Sequence, residues 1–198
     1  MTIKTYLPIL ALASALAATA PAHAVSLTGS TLNGNAVSDY STDGQIAFDL
    51  GVNRFSPVTL TFTVGANDGA TLALDAWIDN LTGDNLRSIG LSLGGGVSFA
   101  TLGTASPRFA PGAIVAGQGP QQAAIWLAAP GEGLGVELGD VYGTTVGASD
   151  WTLNLNGLGA GQSFTVTVTS AVPEPQSIAM ALAGLAVVVR LARRRTSA

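Results

Sequence analysis

The sequence predicts an all-β protein, an antiparallel β-sandwich of jelly-roll-like type, flanked by an N-terminal signal peptide and a C-terminal transmembrane helix. Three observations carry this fold class. Apolar residues alternate with threonines at period two through the body of the chain. Clusters of Gly, Asn, Asp and Pro separate the alternating runs, and no convincing internal helical pattern remains between them. The composition agrees: 47% hydrophobic, 10% charged and 25 glycines in 198 residues describe a folded, turn-rich chain rather than a disordered one.

Residues 1–24, MTIKTYLPILALASALAATAPAHA, have the three parts of an export signal. Lys4 supplies the positive start, residues 6–18 an apolar core, and Ala22-His23-Ala24 the small-x-small pattern that signal peptidase accepts. The cut falls before Val25. It removes His23, the chain's single histidine, and the sequence has no cysteine. The mature protein then has neither.

The body, residues 25–171, holds the predicted strands. The surest are 58–64 (VTLTFTV) and 164–169 (FTVTVT), in which one face is apolar and the other carries hydroxyls. Further strands are predicted at 72–79, 86–93, 124–128, 134–138 and 151–156, with fainter patterns at 47–50 and 97–102. Turn clusters such as 65–69 (GANDG) and 129–133 (APGEG) lie between them. The stretch 101–122 is rich in Gly, Pro and Ala and reads as a long loop. Trp77, Trp126 and Trp151 fall in strands and are expected to pack in or against the core rather than form a sugar platform.

Charge and residue types exclude several function classes. Residues 25–172 contain three Arg against eleven acids, a net charge of −8. Such a domain repels phosphate backbones, so no nucleic acid is expected as a partner. Nucleophilic catalysis by Ser-His or Cys-His lacks its base or nucleophile in the mature body, and zinc lacks its usual ligands. No catalytic residue and no cofactor is assigned. Asp75, Asp79 and Asp84 are the densest acids. Asp79 and Asp84, with Asn80 and Asn85, are the candidates for an oxygen-ligand ion site, but their spacing matches no calcium loop and solvated turn acids are the favoured reading. Asn80-Leu81-Thr82 matches a glycosylation sequon and Gly94-Gly95-Gly96 a phosphate loop only superficially.

The last 27 residues, 172–198, differ in kind. Val172-Pro173-Glu174-Pro175 has two prolines that fix φ and hold their neighbours extended, so it joins neither a sheet nor a helix. Residues 178–189 are twelve consecutive apolar or glycine positions. A full span needs about 20 residues, and arginines at a helix end extend the usable length by snorkelling. Arg190 and the block Arg193-Arg194-Arg195 follow and favour a cytoplasmic tail, with the body outside.

This order of proline-bounded acid, apolar helix and arginine block resembles the PEP-CTERM sorting signal of Gram-negative bacteria. The resemblance implies recognition by an exosortase, a membrane-embedded transpeptidase-like enzyme, with Pro173, Glu174 and Pro175 as the recognised residues. It implies transient inner-membrane anchoring followed by release to the cell surface or matrix, in association with exopolysaccharide and biofilm. The expected protein is non-enzymatic. The alternatives are a carbohydrate-binding module with exposed coplanar tryptophans and a carbohydrate-active hydrolase with two opposed carboxylates.

Overall fold

In the computed structural model the described residues are 24–108, 113–128, 134–141, 143, 147–171 and 184–185. Among them the strands in chain order are β1 (Ser26–Thr31), β2 (Ala36–Asp39), β3 (Gln45–Val52), β4 (Val58–Thr63), β5 (Thr71–Asn80), β6 (Ser88–Gly94) and β7 (Ser98–Thr101). They continue as β8 (Ala105–Pro107), β9 (Ala113–Gly119), β10 (Gln122–Leu127), β11 (Gly135–Leu138), β12 (Trp151–Asn154) and β13 (Ser163–Ala171). Most of the predicted signal peptide, residues 1–24, and of the segment 172–198 lie outside the described residues. Among those described, no helix is long and apolar enough to cross a membrane.

The strands form two sheets. One runs β1-β4-β13-β6-β10-β9; the other runs β2-β3-β5-β11-β8, with β12 and β7 attached through β5. Their apolar faces meet in one core, because alternate residues of each strand point inward: Ile46, Phe48, Leu50 and Val52 from β3, and Val58, Leu60 and Phe62 from β4. The contact between layers is direct. Phe62 of the first sheet lies 6.3 Å from Phe48 of the second and stacks at 6.0 Å on its strand neighbour Phe164. Fully burying such side chains contributes about 1.5–3 kcal/mol each.

Strands expected from alternation are present, including the fainter β3 and β7. Two expectations are corrected. The stretch 101–122 is not a plain loop, since it contains β8 and β9. The sheets are also not wholly antiparallel: β3 and β5 run parallel, with Asp49 opposite Trp77. Thirteen strands in the described residues exceed the eight of a simple jelly roll. The four strands with no sequence signal, β1, β2, β8 and β9, are the ends of the two sheet orders. An edge strand is covered on fewer sides, so its sequence needs less alternation.

Register gives the sandwich two distinct ends. Ser26 pairs with Thr63, which pairs with Ser163, so the start of the domain lies beside the start of β13. Ala171, the last residue of β13, pairs with Ser88 at the opposite end. Val25, the first residue after the predicted cut, is already buried at 1% exposure.

Candidate functional site

The outer face of the first sheet is neutral. Its six strands contain no charged residue, and hydroxyls pair across it: Thr59 with Thr167 at 3.1 Å, Thr63 with Ser163 at 2.8 Å, and Thr28 with Thr63 at 2.9 Å. The glycines of β6 make room for this layer. A Cβ at Gly90 would meet Thr169 Oγ1 at 2.5 Å.

The outer face of the second sheet holds the ionisable chemistry, because period two in β3, β5 and β11 puts Asp49, Asp75, Trp77, Asp79 and Glu137 on one side. Trp77 Nε1 donates to Asp79 Oδ1 at 2.7 Å, and Arg108 covers the Trp77 ring at 4.8 Å while pairing with Asp79 at 3.5 Å. Burial raises the Asp49 carboxyl above its ordinary range, and the Asp79 charge adds to the rise. Glu137 has a buried Oε1 without a hydrogen-bond partner.

Asp75 occupies a break in the sheet. The second edge of β5 is divided: residues 71–74 pair with β12 and 76–79 with β11. Asp75 falls between the two partners, where Gly139, just after β11, and Asp150, just before β12, lie beside it. It is 1% exposed. Gln45 Nε2 donates to its Oδ2 at 2.5 Å, whereas Oδ1 has no hydrogen-bond partner. Oδ1 packs against Gly139, whose φ of +76° suits glycine and where a Cβ would overlap that oxygen. Burial pushes the Asp75 carboxyl up to about 6; the Gln45 bond and the Asp140 backbone N–H oppose the rise, and the adjacent Asp150 carboxylate adds to it. Asp150 is itself held by the Asp140 N–H at 3.0 Å.

Beside this cluster a cleft of about 430 Å³ is lined by Tyr40, Gln45, Ala47, Phe48, Asp49 and Val141. Tyr40 is 60% exposed. Asp49 is the one carboxylate among the described residues that line it. Asp75 reaches the cleft only through Gln45. The arrangement offers hydrogen bonds and one aromatic edge to a small polar molecule, but not two acids facing each other across it.

The residues singled out in the sequence scatter. Asp79 is engaged by Trp77 and Arg108, and Asp84 lies in an exposed turn where its carbonyl accepts from Asn80 Nδ2 at 2.7 Å. Asp75, grouped with them in the sequence only as a dense acid, lies within β5 and is buried. Its signal was its place on the polar side of β5, but the segment that covers it is remote in sequence. Among the described residues no group of three or more His, Cys, Asp or Glu is placed to hold a metal. Trp151 is fully buried and its Nε1 donates to the Thr104 carbonyl at 2.8 Å. Trp77 lies on the outer face of the second sheet and Trp126, 38% exposed, on that of the first, so the three do not share a platform. Ala24 and Val25 precede β1. Ala22, Pro173, Glu174, Pro175, Arg193, Arg194 and Arg195 lie outside the described residues.

Comparison with known families supplies what the domain geometry does not. Residues 171–195 match the PEP-CTERM protein-sorting motif. The chain carries that motif, which implies exosortase-directed export and placement at the cell surface or outside the cell. No curated protein and no solved structure matches the chain.

Proposed function

We propose that this is a non-enzymatic surface or extracellular-matrix protein, exported through its signal peptide, held briefly in the inner membrane by its C-terminal helix, and cut by an exosortase. The observation that carries the reading is the position of the sorting motif, which begins at Ala171, the last residue of β13. Pro173, Glu174 and Pro175 are recognised in an extended strip just past the folded cargo. Residues 178–189 lie in the bilayer, and Arg193, Arg194 and Arg195 hold the tail on the cytoplasmic side. Signal peptidase cuts between Ala24 and Val25. The β-domain then associates with exopolysaccharide in a biofilm matrix.

Replacing Pro173 and Pro175 by Ala tests the sorting step. The expected outcome is a chain that stays in the membrane fraction with an intact mass that includes the tail. Unchanged processing and location would refute recognition of this motif.

The cleft beside Tyr40 supports carbohydrate association rather than hydrolysis, since Asp49 is the single carboxylate among the described residues that line it while glycoside hydrolysis calls for two. Glycan-array binding of the mature protein, with and without calcium, checks this. Retained glycans with loss of signal in Tyr40→Ala support association at the cleft; release of reducing sugar would sink the non-enzymatic reading.

A further inference from the structure

We propose that the end of the domain from which the sorting segment departs is a membrane-contact surface, resting on the lipid headgroups of the bilayer that holds the C-terminal helix. The proposal builds on the anchoring reading above and adds where the cargo touches the membrane before cleavage.

Register brings apolar side chains to that end. Ala171 pairs with Ser88, Ser88 with Trp126, and Trp126 with Ile114, a single row across the first sheet at the exit of β13. Trp126 and Ile114 are 38% and 63% exposed. The second sheet adds two more exposed residues at the same end. Leu81 follows the end of β5, and the Leu134 carbonyl accepts from the Asn80 N–H at 2.8 Å. Tryptophan with exposed aliphatic neighbours suits the headgroup boundary, where one side of the ring is wet and the other apolar.

Charge selects the same end. The body has three cationic side chains, Arg54, Arg87 and Arg108. Arg54 lies two residues past β3, whose Val52 pairs with Asn80. The Arg87 N–H donates to the Ala171 carbonyl and the Arg108 N–H to the Gly135 carbonyl. Three acids belong to these strand ends and connections by sequence, Asp79, Asp84 and Glu132, so charge there is balanced. Asp49 and Glu137 face Trp77, the ring that Arg108 covers, one register step further in, and the remaining six acids of the body lie away from these strand ends. An anionic bilayer repels a domain of this net charge everywhere except where cations offset the acids.

The tether enforces the approach. Six residues, 172–177, separate Ala171 from the apolar run, and even fully extended they reach only about 20 Å. A helix in the bilayer therefore holds this end, and not the opposite one, at the surface at high local concentration.

The absence of cysteine permits single spin labels. The chain 25–198 is reconstituted into phosphatidylglycerol–phosphatidylethanolamine vesicles and labelled at Ile114→Cys, at Leu134→Cys, or at Ala66→Cys, which is exposed in the β4–β5 connection at the far end. The expected result is a several-fold greater exposure of labels 114 and 134, relative to label 66, to oxygen dissolved in the membrane than to an aqueous nickel chelate. Labels 114 and 134 as aqueous as label 66, in chains that float with the vesicles, overturn the contact and leave the anchoring reading intact. Chains that do not float overturn the anchoring reading and the contact with it. Protection that arises only in membranes containing the exosortase assigns the surface to a protein partner and overturns the lipid contact.

Discussion

The two sheets share a core and differ in almost everything outside it. The sheet of β1, β4, β13, β6, β10 and β9 has no ionisable group on any strand, and its hydroxyls satisfy one another across the strands. The sheet built on β3 and β5 carries Asp39, Asp49, Asp75, Asp79 and Glu137. Hydroxyl pairs across strands contribute about 0.2–1 kcal/mol each and are indifferent to pH. Buried carboxylates cost stability when ionised. One sheet is thus a neutral wall, and the other concentrates the groups whose state depends on solution conditions.

The largest expected effect comes from the residue that joins the two. Phe62→Ala removes the ring that touches Phe48 across the core and Phe164 beside it, and should cost about 3–5 kcal/mol. Chemical denaturation checks it. A single transition moving to lower denaturant supports one shared core; two separate transitions would break the picture of sheets that stand or fall together.

A smaller effect isolates the acidic sheet. The folded-state pKa of Asp75 is raised from 3.8 to about 6, so the folded chain holds that proton more tightly than the unfolded chain. Its contribution to stability is fully present below about pH 4 and is lost as pH rises through 6. Allowing for solvent screening, the loss is about 1–2 kcal/mol. Asp75→Asn keeps an acceptor for Gln45 and gives Asp150 a donor. Thermal melts should show it stabilised by about that amount at pH 8 and close to the parent at pH 4. Equal effects at both pH values would remove ionisation as the cause.

The smallest effect sharpens the contrast from the neutral side. Thr167→Ala deletes one hydroxyl pair at 3.1 Å with Thr59 and should cost no more than about 1 kcal/mol. The cost should be the same at pH 4 and pH 8. A pH-dependent loss would mean that this face is electrically coupled to the acids behind it.

Much of this contrast was legible before folding was considered. The Thr alternation of β4 and β13 stated their neutral outer face but not that they pair, because period two assigns each side chain to a face without reference to any neighbour. Four of the edge strands, β1, β2, β8 and β9, were not legible. In β1, Gly29 and a register shift between Leu27 and Gly29 interrupt the pattern, and in β9 small residues give no alternation to read. Asp75 was visible as an acid on the polar face of β5, but its burial depends on Gly139 and Asp150, more than sixty residues away. The sorting motif was readable in full, since its recognition depends on the local order of its three parts.

The sequence by itself determined the class of fold, the sorting motif at residues 171–195 and the absence of cysteine and histidine from residues 25–171, because these follow from local period and residue type. Tertiary structure decided which acid is buried, which tryptophan is sealed and which reaches solvent, and which end of the sandwich bears Trp126, Ile114, Leu81 and Leu134 together with the three arginines of the body. Those outcomes depend on strand order and register, which bring together residues that no short-range pattern connects.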